Sequence, residues 1–122
     1  MRLIVAGSRS FNDYELLAAT LDELTADVPK EELVILSGHA RGADQLGERW
    51  SRERHVQCEL FPADWEKHGR SAGHVRNAAM VASCGPDDAA AFFWNGRSPG
   101  TKGCLQLVRK AGLKVTIVRV QA

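Results

Sequence analysis

Four glycine-rich loops carry most of the residues that could bind an anion. Each loop combines glycines, which let a ligand approach the backbone closely, with hydroxyl groups or an arginine that can hydrogen-bond a phosphate. The residues that we expect to contact a ligand are Gly7, Ser8, Arg9, Gly38, Arg41, Gly42, Asp44, Arg76, Asn77, Ser98, Gly100 and Thr101. This pattern predicts a site for a phosphate and a ribose.

The loops match neither of two common phosphate-binding fingerprints. The first, Gly7-Ser8-Arg9-Ser10, has the spacing of neither the dinucleotide motif G-x-G-x-x-G nor the P-loop G-x-x-x-x-G-K-[ST]. The second, residues 37–44, places glycines where a NAD-binding unit usually carries an acidic residue for the ribose. The sequence therefore argues against a dehydrogenase, and we expect no redox cofactor and no metal.

Several loop residues have a structural interpretation as well as a ligand-binding one. Asp44 lies in the first turn of a predicted helix, where a carboxylate favours the helix dipole and can cap. Thr101 can cap the last helix and face an anion, and the two roles can hold together. Trp65 can stack on a base, although packing against the core or its rim is the preferred interpretation. His39 is a weak candidate for an acid or base, because no partner that would orient its ring can be recognised in the sequence.

The loops follow short apolar runs that alternate with helical patterns. The runs predicted as strands are Leu3–Ala6, Leu33–Leu36, Val56–Phe61, Ala89–Trp94 and Val115–Val120. Several are apolar at nearly every position, which is typical of parallel strands covered on both faces. We therefore predict an α/β fold: a Rossmann-like open parallel sheet of about five strands in the order 3-2-1-4-5, with helices on both faces and the loops at its carboxyl edge.

Four helices are predicted between the strands. Asn12 is expected to cap the first, the second should run from about Ala43 to Arg54, and the third from about Gly73 to Ser83. The fourth should follow Thr101 and end at Gly112, which suits the C′ position. Each helix has an expected buried face. These faces are Tyr14, Leu17, Ala18, Leu21 and Leu24 in the first helix, Ala43, Leu46, Gly47 and Trp50 in the second, Val75, Ala78, Ala79 and Ala82 in the third, and Cys104, Leu105, Val108 and Ala111 in the fourth.

Two further stretches carry expectations that the structure can test. Glu48 and Arg52 are expected to pair across one turn on a solvated face of the second helix. Residues 62–72 are expected to be irregular and are a candidate binding loop.

Composition narrows the class of protein. A length of 122 residues predicts a single domain spanning 1–122, and 44% hydrophobic with 25% charged residues is typical of a globular chain. Sixteen basic and fifteen acidic residues give a net charge of +1, which argues against nucleic-acid binding. Three scattered cysteines support neither a disulfide framework nor a zinc site. Without a leader or an apolar run of about 18 residues, we expect a cytoplasmic protein with no membrane contact.

The loop sequences resemble a known family. The matching stretches are residues 4–11, Ser37-Gly38 with Arg41-Gly42-Ala43-Asp44, Pro62-Ala63-Asp64-Trp65, Ala72-Gly73 with Arg76-Asn77, and Gly100-Thr101. They resemble the YspA/cpYpsA-related branch of the SLOG superfamily, which is similar in fold to the LOG phosphoribohydrolases and to DprA. The resemblance implies a Rossmann-like domain that binds a nucleotide or nucleotide-derived ligand, often as a homo-oligomer.

The resemblance leaves catalysis open. The LOG enzymes carry a Gly-Thr-x-x-Glu motif, whereas this chain has Cys104 where that catalytic glutamate would stand. A neutral thiol cannot stabilise an oxocarbenium-like centre as a carboxylate does. The leading hypothesis is therefore a nucleotide-binding protein with a sensor or processing role. The alternative is a nucleoside-phosphate N-glycosidase that uses another acid, such as Asp44 or Asp64.

Overall fold

The computed structural model describes residues 1–121. Its strands are β1 (Arg2–Gly7), β2 (Val34–Ser37), β3 (Gln57–Leu60), β4 (Ala89–Trp94) and β5 (Lys114–Arg119). Its helices are α1 (Tyr14–Leu24), α2 (Ala43–Arg54), α3 (Trp65–His68), α4 (Ala72–Ala82) and α5 (Pro99–Ala111). All neighbouring strands are parallel and lie in the order β3-β2-β1-β4-β5, which confirms the predicted sheet.

The sheet is covered on both faces, and the central strand shows why its sequence is apolar throughout. Leu3 and Val5 of β1 pack with α1 and α2, whereas Ile4 and Ala6 pack with α4 and α5. Successive side chains of a strand point to opposite faces, so a strand between two helical layers needs apolar residues at every position. The edge strands β3 and β5 are partly exposed and correspondingly more polar.

The predicted N-cap of the first helix is wrong by one residue. The N-cap of α1 is Asp13, whose carboxylate accepts a hydrogen bond from the backbone N–H of Leu16 at 3.1 Å, rather than Asn12. Asparagine and aspartate cap helices equally well, so the sequence alone does not choose between them. At the other end of the chain, Gly112 does terminate α5 in the left-handed conformation, with φ of 80°.

The buried face of α4 also differs from the prediction. The helix buries Ala72, Asn77, Met80 and Val81, and leaves Val75 exposed. A helix with several alanines and valines offers more than one plausible apolar stripe, because small side chains add little to any face. Met80 and Val81 decide the rotation by packing with sheet and α5 residues.

The stretch predicted to be irregular contains short ordered helices. Asp64 caps α3 by accepting a hydrogen bond from Lys67 N at 3.0 Å, and a 3₁₀ turn over Gly69–Ser71 leads directly into α4. Residues 62–72 therefore form an ordered wall beside the carboxyl edge of the sheet. Across residues 1–121 no helix is long and apolar enough to cross a bilayer.

Candidate ligand-binding site

A crevice of about 790 Å³ opens at the carboxyl edge of the sheet. This volume falls within the range of small-molecule and cofactor sites. Nine of the twelve predicted ligand-binding residues line it, namely Gly7, Arg9, Arg41, Asp44, Arg76, Asn77, Ser98, Gly100 and Thr101. The structure therefore brings residues from four separate loops to one cavity.

The other three predicted residues hold the loops instead of lining the crevice. Ser8 is fully buried, and its hydroxyl accepts a hydrogen bond from Asn95 N at 3.0 Å and lies 3.1 Å from Ser98 Oγ. Gly38 offers its carbonyl oxygen to the guanidinium of Arg76. Gly42 is the N-cap residue of α2.

Two of the glycines are required by close approaches. Gly42 has φ of 80°, and a side chain there would bring Cβ within 2.6 Å of the Arg9 carbonyl oxygen. At Gly38, a Cβ atom would lie 2.6 Å from Arg76 Nη1 and 2.8 Å from Asp44 Oδ2. The missing side chain of Gly38 thus lets a guanidinium and a carboxyl group approach each other at the crevice.

The crevice is rich in positive charge. Four arginines line it, namely Arg9, Arg41, Arg70 and Arg76, whereas Asp44 is the one carboxyl group among its described lining residues. Arginine binds phosphate through charge-assisted hydrogen bonds that can be bidentate. The local charge therefore favours an anionic ligand, although the chain as a whole is almost neutral.

Asp44, the carboxyl group that lines the crevice, has a pKa shifted by burial. The residue is 6% exposed, and its Oδ2 accepts a hydrogen bond from Ala40 N at a long 3.3 Å. Burial raises the pKa of the carboxyl to about 6, against the opposing effects of that hydrogen bond and of Arg76. The sequence left capping open, but the N-cap position belongs to Gly42, and Asp44 lines the cavity.

The N-terminus of α5 forms another wall. Ser98 holds the N-cap position without a side-chain cap, and Pro99 follows at the start of the helix. Thr101 is inside the first turn and buried, so its predicted capping role is wrong. First-turn N–H groups of a helix have no intrahelical partner and carry partial positive charge, so this end of α5 also favours an anion.

A buried polar network supports the loop between β2 and α2. Glu48 is 7% exposed and accepts a hydrogen bond from Ser37 Oγ at 2.7 Å, and its carboxylate lies 2.9 Å from His39 Nδ1. The predicted Glu48–Arg52 surface pair is therefore wrong. The pair that spans one turn of α2 is Arg49–Glu53, with a distance of 3.0 Å between Nε and Oε2.

His39 thus has a partner that lies nine residues away in the sequence. Its backbone is left-handed, with φ of 60°, which is uncommon for a residue other than glycine. Its backbone N–H also donates to Ser37 Oγ at 3.1 Å. These bonds hold the turn that leads to Ala40 and Arg41 at the crevice.

Trp65 stands at the crevice with 54% of its surface exposed. The preferred interpretation of Trp65 was packing against the core or its rim, and its exposure shows that burial in the core is wrong. Ser10, Arg70 and His74 also line the crevice and were missing from the predicted set. The available signal was their place in the sequence, since Ser10 directly follows Arg9, and Arg70 and His74 directly follow glycines. Polar residues next to glycines are nevertheless common on ordinary surfaces.

Cys104 lines the crevice beside Thr101, yet its thiol is buried. Burial, together with the nearby charge of Asp44, raises the pKa of this thiol to about 12. A thiol that stays protonated is a poor nucleophile and cannot replace a carboxylate. Within residues 1–121 no group of three or more histidines, cysteines and acids could hold a metal ion.

Comparisons with known proteins agree with this geometry. Residues 1–68 match the model of the YAcAr family, described as the YspA, cpYpsA-related SLOG family. The chain is 41% identical over 120 residues to the Gene 61 protein of Mycobacterium phage D29, and the match covers 93% of each chain. No solved structure matches significantly.

Proposed function

We propose that this chain, which belongs to the YspA, cpYpsA-related SLOG family, binds a nucleotide or nucleotide-derived ligand in the crevice. In this account residues 1–122 act as a single nucleotide-binding domain with a sensor or processing role. The observation that carries the proposal is the convergence of four arginines and the N-terminus of α5 on one cavity of about 790 Å³. A cavity of this volume has room for more than a phosphate ion.

The phosphate would bind to the arginines. Arg9 and Arg41 have exposed side chains on two different loops, whereas Arg76 is already engaged by Gly38 O and by Asn77 Oδ1, the latter at 2.8 Å from Nε. Arg9 and Arg41 are therefore the residues whose replacement removes charge without removing internal hydrogen bonds. The ribose would lie nearer Asp44, whose carboxylate can accept hydrogen bonds from hydroxyl groups.

Thermal unfolding tests the proposal directly. AMP, ADP-ribose, NAD and GTP are added to the protein, and a ligand at about 100 times its Kd should add about 2.7 kcal/mol to the free energy of unfolding. Arg9→Ala and Arg41→Ala should each weaken binding about 10- to 100-fold, because each removes a charge-assisted contact. Arg109→Ala, at an exposed position of α5 outside the crevice, is the matched control. Absence of a shift with every nucleotide would contradict the proposal.

A second candidate function, N-glycosidic cleavage of a nucleoside monophosphate, is favoured by Asp44 alone. A crevice acid with a pKa of about 6 can exchange a proton near neutral pH, as a general acid or base must. Asp64 is not a candidate, since it caps α3 and does not line the crevice. Free base released from a nucleoside monophosphate, and abolished by Asp44→Asn, would establish the enzyme; no release at high protein concentration would exclude it.

Homo-oligomer formation, which the family resemblance implies, belongs to the same proposal. Light scattering on the purified protein measures its molecular mass, and a mass equal to that of a single chain would contradict the proposed homo-oligomer.

A further inference from the structure

One large aromatic side chain of the crevice is more exposed than burial in the core would allow. Trp65 begins α3, a helix of four residues, and its indole is 54% exposed while it lines the cavity. Tryptophan is usually among the most buried residues of a protein, since its large surface gains most from leaving water. By contrast, Trp50 of α2 is 2% exposed and hydrogen-bonds Asp22 through its indole N–H at 3.0 Å.

The position of the indole is set by its short helix and by the helix that follows. Asp64 caps α3, and Gly69, with φ of 54°, ends it. A Cβ atom placed on Gly73 would lie 3.8 Å from Trp65 Cη2 and 3.6 Å from Arg76 Nη2. The edge of the indole and the guanidinium of Arg76 therefore flank the same open space above the first turn of α4.

We propose that Trp65 is the base-stacking platform of the crevice, and that the ligand carries a flat aromatic ring that lies against the indole. This inference rests on the proposed function and assigns a side chain to the base. The arginines account for an anionic group but offer no reason for the ligand to carry a ring. An exposed indole beside an arginine gives the base a π-face to stack on, whatever its hydrogen-bonding edge.

The role in binding is specific to the ring, so the test compares ligands with and without it. Titrations with AMP and with ribose 5-phosphate are carried out on the wild type, Trp65→Ala and Trp65→Phe. Trp65→Ala should weaken AMP binding roughly 5- to 100-fold, the range expected for the loss of one base–aromatic stack. Ribose 5-phosphate affinity should change less than about twofold, and Trp65→Phe should retain most of the AMP affinity.

A control variant and the pattern of affinities separate failure of the stacking role from failure of the proposed function. Lys67→Ala, an exposed change in the same short helix but outside the crevice, should leave both affinities unaltered. If neither ligand binds the wild type, the proposed function fails. If AMP binds but Trp65→Ala weakens AMP and ribose 5-phosphate equally or not at all, the stacking role alone is overturned. A change in molecular mass with Trp65→Ala would instead identify the indole as a subunit contact and would also overturn it.

Discussion

Asp44 illustrates at the residue scale how the crevice differs from an ordinary protein surface. A carboxyl group that is 6% exposed destabilises the fold once it ionises, because burial penalises the charged form by more than the nearby charges of Arg76 and Arg9 favour it. An apolar or amide side chain would avoid that cost. Buried acids with perturbed pKa values concentrate at functional sites, which is the pattern expected if Asp44 serves the ligand.

The destabilisation by Asp44 has a definite pH dependence. The pKa of Asp44 is about 6 in the folded protein, against 3.8 for an ordinary aspartate, so the native carboxyl binds its proton more tightly. The contribution of Asp44 to stability is therefore fully present below about pH 4 and is lost as the pH rises through 6. The loss is at most about 3 kcal/mol at 1.36 kcal/mol per pKa unit.

Asp44→Asn removes this titration. Urea denaturation should find the variant close to the wild type in stability at pH 4, and more stable by up to about 3 kcal/mol at pH 8. Its affinity for a nucleotide should fall at pH 8, because an amide accepts fewer hydrogen bonds than a carboxylate. A stability difference that does not vary with pH would show that Asp44 keeps an ordinary pKa.

At the element scale, the β2–α2 unit shows how a loop with two crevice-lining residues, Ala40 and Arg41, is kept in place. Ser37 ends β2, Glu48 lies on α2, and their hydrogen bond fixes the two elements on either side of the loop. Glu48 also holds the ring of His39, whose backbone adopts a left-handed conformation. We infer that this network orients Ala40 and Arg41 toward the crevice.

Glu48→Gln tests the network. The amide is neutral and places an NH₂ group where the carboxylate has its second acceptor oxygen, so its bonds to Ser37 and His39 are weaker. Unfolding should therefore become easier by about 1–3 kcal/mol, and nucleotide affinity should fall as the loop loosens. Glu23→Gln, at an exposed position of α1, should change stability by less than about 0.5 kcal/mol. If Glu48→Gln matches the wild type in both chemical denaturation and ligand titration, the network has no positioning role.

The elements also show where sequence reasoning succeeds and where it stops. The order of the strands follows from alternating apolar runs and helices, because βαβ connections restrict the possible sheets. The rotation of α4 about its axis does not follow from the sequence, because Val75 and the alanines of this helix form as good an apolar stripe as Met80 and Val81. The burial of Glu48 and its contact with His39 depend on how α2 lies against β2, which no local pattern encodes. The exposure of Trp65 likewise depends on how α3 lies beside the crevice, which its local sequence does not encode.

At the scale of the whole molecule, net charge and local charge give different information. A net charge of +1 offers little attraction for a polyanion, and this is the ground for expecting that nucleic acid is not the ligand. The four arginines of the crevice nevertheless create a local excess of positive charge around Asp44. Parallel strands bring all of these loops to one edge, so the fold itself concentrates the charge where a small anion can bind.

The measurement that tests the central claim most directly is an amide chemical-shift titration of the ¹⁵N-labelled protein with AMP and with ADP-ribose. The account predicts saturable shifts at the carboxyl edge, in residues 7–10, 40–44, 65–76 and 98–103, while the opposite edge around residues 28–32 stays unchanged. Arg9→Ala should weaken the response and Arg109→Ala should not. Saturable shifts confined to other surfaces, or no response to either nucleotide at millimolar concentration, would contradict it.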